Sequence, residues 1–194
     1  MDSLEQIKQL REETGVSIAE CKKAIEESKG DLEKAKEILR TWGKTLAGKK
    51  QSREVKAGMI MSYIHPNKKV GVLLDIRCES DFVVRNENFE ALAHEICLQI
   101  AAMSPEYVTD SEIPEEILKK EMKIGLEQVA ESKKPKEITD QIVEGKLKKF
   151  KEEKTLIMQP WIKDDKKTIN DLIADYIGKI GENIIIKKFV RYEI

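Results

Sequence analysis

Residues 70–89 read VGVLLDIRCESDFVVRNENF. Alternate residues from Val70 to Ile76 are apolar, which predicts a β-strand that buries one face. A helical pattern with one apolar stripe follows from about Glu87 to Met103. The turn between two such elements is usually small and polar, but this one carries the bulky ring of Phe82. The stretch therefore predicts a strand, an unusual turn and a helix.

Further alternating and helical segments flank this stretch. Residues 59–64 alternate and are followed by the turn sequence Pro-Asn-Lys-Lys, which predicts a β-hairpin with the strand at Val70. Beyond Met103 the pattern predicts two helices, a short strand, a helix capped by Thr168 and ended by Gly181, and a final strand. These segments cover residues 114–131, 136–151, 155–159, 168–181 and 183–193. Helices and hairpin strands are segregated, so the predicted fold class is α+β, with an antiparallel sheet packed by helices.

The beginning of the chain predicts three short amphipathic helices. Ser17 and Asp31 stand where N-caps are expected, and Gly15, Gly30 and Gly43 stand where the three helices should end. One face of the second helix is predicted to be apolar and buried, with Ile18, Cys21, Ala24 and Ile25 on it. Three such helices make a small bundle whose core is marginal by itself.

The composition changes twice along the chain. Lys44 to Lys56 is basic, lacks a strong apolar face and predicts a linker helix, and Gly58 opens the alternating segments. We therefore divide the chain into a three-helix bundle at 1–43, a linker helix at 44–57 and an α+β core at 58–194.

The composition argues against several function classes. The 35 basic and 36 acidic residues give a net charge of −1, whereas a general nucleic-acid binder usually carries a basic excess. The sequence lacks an apolar run of ~20 residues and a signal peptide, so we expect a cytoplasmic bacterial protein that does not bind membranes. Cys21, Cys78 and Cys97 are widely spaced without a CxxC motif, which argues against zinc and disulfides. The sequence has no Gly-rich phosphate loop, so we expect no direct nucleotide binding and no cofactor.

Phe82 allows two interpretations from the residues alone. Large apolar side chains are mostly buried, so composition favours a ring that plugs the core, with Asp81 as the N-cap of the following helix. The alternative is a ring that reaches into a partner. Val83 could belong to the core or to such a contact surface.

The residues around Phe82 resemble a known family. Residues 78–87 read CESDFVVRNE and resemble the elongation factor Ts pattern CETDFVARNE, from which they depart at Ser80 and Val84. Further blocks resemble other segments of that family in the same order from end to end. These blocks are residues 10–15, 21–24, 30–35, 100–105, 142–150, 159–164 and 181–193. The first three helices also resemble the ubiquitin-associated-type bundle that opens the family.

The resemblance implies a guanine-nucleotide exchange factor for elongation factor Tu, which does no covalent chemistry and is not an enzyme. It implies that Asp81 and Phe82 wedge between helices of the partner's G domain and disturb its magnesium site. GDP would then leave and GTP would replace it. Ser80 and Val83 would position this wedge.

A second contact surface is implied for the beginning of the chain. Four residues stand at family positions that touch the same G domain: Arg11, Ile18, Ala19 and Lys22. Without the resemblance they are ordinary solvated or core residues. The family usually has methionine at the position of Ala19, so this departure weakens one expected contact. The short chain resembles the compact form of the family, whose members are expected to be homodimers with the final strand at the interface.

Two other functions compete with the exchange factor. The first bundle suggests a ubiquitin-type binding module, but the loop Thr14-Gly15-Val16 lacks an aromatic contact residue. A hydrolase that uses Glu79 and Asp81 would need a defined cleft and more convergent polar groups.

Overall fold

The computed structural model describes residues 3–130 and 136–194. Within these ranges lie eight α-helices and five β-strands. In chain order they are α1 Ser3–Thr14, α2 Ile18–Glu27, α3 Leu32–Lys50, β1 Ala57–Ile64, β2 Val70–Cys78, α4 Asp81–Val84, α5 Glu87–Met103, α6 Glu115–Ala130, α7 Lys136–Lys154, β3 Pro160–Trp161, β4 Asp164–Thr168, α8 Ile169–Ile180 and β5 Ile184–Glu193. The predicted α+β class is confirmed. Residue 131, the predicted end of the 114–131 helix, lies outside the described residues.

A three-stranded antiparallel sheet has the order β1-β2-β5. The last residue of the central strand, Cys78, lies opposite Ala57 of β1 and Ile184 of β5. The predicted hairpin and final strand are therefore confirmed. The inner face of β2 is buried through Val72, Leu74 and Ile76, as the alternation in the sequence predicts.

Helix α5 covers the inner face of this sheet and also packs against α8. Its stripe of Phe89, Leu92, Ile96 and Ile100 is fully buried. Burial of each such side chain contributes about 1.5–3 kcal/mol to stability, so this layer supplies much of the core. The predicted bounds of α5 are confirmed, and Asn86 caps its first turn by accepting a hydrogen bond from the Asn88 amide at 2.9 Å.

The first three helices form a bundle with its own small core. Leu10, Cys21, Ala24 and Ala35 are fully buried within it. Ser17 and Asp31 cap α2 and α3 as predicted, and Gly15 and Gly30 adopt positive φ after α1 and α2. Ile18 is the exception on the predicted apolar face of α2, because its side chain is 55% exposed.

The prediction that Gly43 ends the third helix is wrong, because α3 continues to Lys50 and there is no separate linker helix at 44–57. Gly43 lies where α3 crosses α8. A Cβ atom at position 43 would lie 3.3 Å from the Ala174 carbonyl oxygen, and one at Gly178 would lie 3.3 Å from the Gly43 Cα. The glycine pair therefore allows close approach of two helix backbones. Asp171 of α8 adds an ion pair with Lys44 at 2.7 Å.

The predicted strand at 155–159 is also wrong. Residues Leu156–Met158 form a 3₁₀ turn, and the fully buried Leu156 anchors it in the core. The short β3–β4 pair that follows was not predicted, because Asp164–Thr168 is entirely polar and carries no alternation. The capping box of Thr168 with Asp171 and the end of α8 at Gly181 are confirmed.

Of the two glycines within α3, only Gly43 lies at the close crossing with α8, so side-chain size should matter at Gly43 and not at Gly48. Gly43→Leu should destabilise the protein by about 1–3 kcal/mol, because the added side chain meets the Ala174 carbonyl. Gly48→Leu, on the same helix, should be neutral or stabilise by up to about 1 kcal/mol through helix propensity, because open space surrounds position 48. Urea denaturation followed by circular dichroism measures both. Equal stabilities of the two variants would contradict the role of Gly43.

Candidate functional site

The unusual turn of the sequence is the one-turn helix α4 between the end of β2 and the start of α5. Its Phe82 side chain is 89% exposed, so the interpretation of Phe82 as a core plug is wrong. Val83 is buried in the core instead. Val84 is half-buried and also packs against the core. Because successive helical residues point about 100° apart, Phe82 lies about 150° from the mean direction of Val83 and Val84, and its ring faces outward. Asp81 is exposed beside it.

The residue before this helix is held from outside the turn. Ser80, not Asp81, is the N-cap residue, which corrects the prediction for Asp81. Within the described residues, the Ser80 hydroxyl accepts no hydrogen bond from the amides of α4. Instead the hydroxyl donates to Glu182 Oε1 at 2.5 Å, and the Ser80 amide donates to Glu182 Oε2 at 2.9 Å. Both oxygens of one carboxylate therefore bind one residue.

A second set of contacts holds the residue before Ser80. The Asn183 amide donates to Glu79 Oε1 at 2.6 Å, and the Asn183 side chain donates to the Arg53 carbonyl at 3.1 Å. The Arg53 guanidinium lies 3.4 Å from Glu79 Oε2. Glu79 is thus engaged in structural contacts, which argues against the hydrolase that would use it with Asp81.

The structure adds three residues to this site that the sequence patterns did not indicate: Glu182, Asn183 and Arg53. A local signal was nevertheless present, since a Glu-Asn pair stands between the helix-ending Gly181 and an apolar strand. Gly181 adopts φ +83°, which ends α8 and lets the two polar residues lie against the turn.

Cys78 lies beneath the same turn. Its thiol donates to the Ser80 carbonyl at 3.3 Å. Burial, together with the nearby Glu182 carboxylate, raises the pKa of the Cys78 thiol to about 11. The side chain is therefore a protonated thiol at neutral pH, and it acts as a small packed group and not as a nucleophile.

The four residues of the second predicted surface, Arg11, Ile18, Ala19 and Lys22, are all exposed on the bundle. Ile18 and Lys22 are four residues apart on α2, so they share one side of that helix. Lys22 and Glu26 form only a loose pair at 3.9 Å, and both side chains are 64% exposed. The cation and the apolar side chain are therefore available to a partner.

Across 3–130 and 136–194, no three His, Cys, Asp or Glu side chains are grouped so that they could hold a metal ion. None of the helices in these ranges combines the length and the apolar character that a bilayer span requires.

Comparisons with known proteins agree along the whole chain. The family model described as elongation factor TS matches residues 4–194. The chain is 50% identical over 188 residues to elongation factor Ts of Coprothermobacter proteolyticus, covering 97% of this chain and 95% of that relative. It is 46% identical over 194 residues to elongation factor Ts of Thermosipho melanesiensis, covering 100% and 99%. Its identity to elongation factor Ts of Thermodesulfovibrio yellowstonii is 50% over 188 residues, covering 97% and 94%. The chain therefore belongs to the elongation factor Ts family of translation elongation factors.

Proposed function

We propose that this protein binds elongation factor Tu with GDP and promotes GDP release, so that GTP can replace it. One observation carries the proposal, namely that Phe82 projects into solvent from a one-turn helix that is held firmly at its base. An aromatic ring exposed on an ordered turn is a typical anchor for a protein partner.

The exchange needs differential binding and no covalent step, so the protein acts as a binding partner and not as an enzyme. Binding of the factor and binding of the nucleotide are reciprocally coupled, and a thousandfold loss of nucleotide affinity corresponds to about 4 kcal/mol. Full burial of the Phe82 ring in the G domain contributes about 1.5–3 kcal/mol of this. Displacement of the magnesium ion supplies more, because the diphosphate loses its charge neutralisation.

The four residues of the proposed wedge have different roles. Phe82 and Asp81 are exposed and contact the partner, with Asp81 offering a carboxylate at the rim of the ring. Val83 is buried and Ser80 is bound to Glu182, so both set the direction of the wedge from beneath.

The bundle adds a second contact with the same G domain. Arg11 and Lys22 offer cations, and Ile18 offers exposed apolar surface. Ala19 offers less contact area than the methionine usual in the family, so the contact should depend more on Ile18.

We also propose a homodimer, and the outer face of the sheet supports it. Five outward side chains on three adjacent strands are apolar and exposed, alongside the polar Ser62, Asp75, Arg77 and Lys188: Ile60, Ile64, Leu73, Val190 and Tyr192. The Arg77 guanidinium donates to Asp75 at 2.9 Å and holds the pKa of that carboxyl below its usual range, so the two charges neutralise each other. A contiguous apolar face of this kind favours burial against another surface.

Removal of the ring tests the wedge. Phe82→Ala should slow release of labelled GDP from elongation factor Tu by roughly ten- to hundredfold, because 1.5–3 kcal/mol of burial is lost. Its melting temperature should not change, because the ring is exposed in the free protein. Leu126→Ala, an exposed apolar position on α6, is the matched control and should release GDP at the original rate. Unchanged release by Phe82→Ala would refute the wedge, and no release by the original protein would refute the exchange function.

A charge reversal tests the bundle surface. Lys22→Glu should raise the concentration of elongation factor Tu–GDP that gives half-maximal exchange by roughly tenfold, while the maximal rate changes less. Lys23→Glu changes the net charge equally at the next residue and should have a much smaller effect. Equal effects of the two variants would indicate long-range electrostatics and would contradict a specific contact at Lys22.

A charge within the apolar face tests the homodimer. The original protein should elute with twice the mass of one chain in size-exclusion chromatography with light scattering. Leu73→Asp should elute as a monomer, because an unpaired carboxylate would be buried at the interface. Leu126→Asp places the same charge on α6 and should leave the dimer intact. A monomeric original protein would contradict this part of the proposal.

A further inference from the structure

The first residues after α8 bind the base of α4 in a regular pattern. The last backbone pair of β2 and β5 joins Cys78 and Ile184. One residue further out, the Asn183 amide binds the Glu79 side chain at 2.6 Å. The next pair joins Glu182 and Ser80, at 2.5 and 2.9 Å. The strand pairing is thus continued for two residues by carboxylates in place of carbonyl groups.

We propose that Glu182 is a positioning residue for the exchange wedge, an inference that rests on the proposed function. The two carboxylate oxygens of Glu182 accept hydrogen bonds from Ser80. Glu182 acts through Ser80, the residue that sets the start of α4 and so the direction in which the ring projects.

The use of the Ser80 hydroxyl supports a positioning role. A serine at an N-cap usually accepts a hydrogen bond from an amide in the first turn and so stabilises its own helix. Here the hydroxyl donates to Glu182 instead. The local cap is therefore replaced by a charge-assisted bond to a distant part of the chain, which fixes the turn relative to the core.

Both carboxylate oxygens of Glu182 are needed for this geometry. One oxygen fixes the backbone of Ser80 and the other fixes its side chain. A single hydrogen bond would restrain Ser80 less, whereas two bonds from one carboxylate restrain both its backbone and its side chain. The Arg53–Glu79–Asn183 contacts hold the preceding residue in the same way.

A fixed turn matters because the wedge must displace parts of its partner. A ring on a loose turn would move aside when it meets the G domain, or would lose conformational entropy on binding. Misplacement of a contact group by about 1 Å can reduce a rate about a hundredfold. Glu182 should therefore affect the exchange rate only while the ring is present.

The test measures release of labelled GDP from elongation factor Tu at a saturating partner concentration. Glu182→Gln keeps the shape of the side chain but loses its charge and one acceptor. It should slow release about tenfold in the original protein. In the Phe82→Ala background the same change should slow release by less than about twofold, because no ring remains to be positioned. Glu106→Gln removes an exposed carboxylate that pairs with Lys154 far from the turn, and it should leave release unchanged.

The outcomes separate this inference from the proposed function. A normal rate for Glu182→Gln, with a collapsed rate for Phe82→Ala, would overturn the positioning role and leave the wedge in place. Equal losses in both backgrounds would also overturn it, because they indicate a general structural role. No effect of Phe82→Ala would refute the wedge and the positioning role together. If Glu182→Gln melts at a lower temperature, Ser80→Ala, which removes only the hydroxyl donor, takes its place in the same comparison.

Discussion

The packing of α5 on the inner face of the sheet is the constraint on which the rest of the structure depends. It fixes Cys78 at the end of β2 and Glu87 at the start of α5, so the eight residues between them cross a short gap between two rigid elements. Val83 fills the core beneath this gap. Val84 also packs against this core, so Phe82 lies on the opposite side of the one-turn helix and its ring faces solvent.

The energetics of the turn follow from that geometry. In the free protein the exposed Phe82 ring lacks the stabilisation of about 1.5–3 kcal/mol that burial would give. The same free energy would stabilise a complex in which a partner covers the ring. Such an exposed ring is useful only if the turn stays ordered. The carboxylates of Glu79 and Glu182 supply that order through bonds to strand and turn backbone, which are stronger than neutral hydrogen bonds.

Periodicity predicted the elements that bury one face, and it failed where long-range contacts decide the outcome. The hairpin, α5, α8 and β5 follow from local patterns in the sequence. Gly43 has the same local signature as a helix-ending glycine, but its role is the close crossing with Gly178, which lies 135 positions further along the chain. Composition also could not predict the exposure of Phe82, because this exposure depends on the packing of both Val83 and Val84 against the core. Glu182 could not be assigned, because its partner Ser80 is distant in sequence.

The two proposed contact surfaces are joined through the end of α8. Because α3 continues past Gly43, its last residue Lys50 reaches the Gly181 carbonyl and donates a hydrogen bond to it. Three residues later the Arg53 carbonyl accepts from Asn183. The bundle is thereby connected to Gly181 and Asn183, the two residues on either side of Glu182, which binds the base of the proposed wedge. Rigid connection of two contact surfaces means that binding at one surface already orients the other, so the second contact loses less entropy than it would alone. A separate linker helix without these contacts would not connect the two proposed surfaces in this way, so the continuous α3 supports the proposal that both surfaces bind one partner.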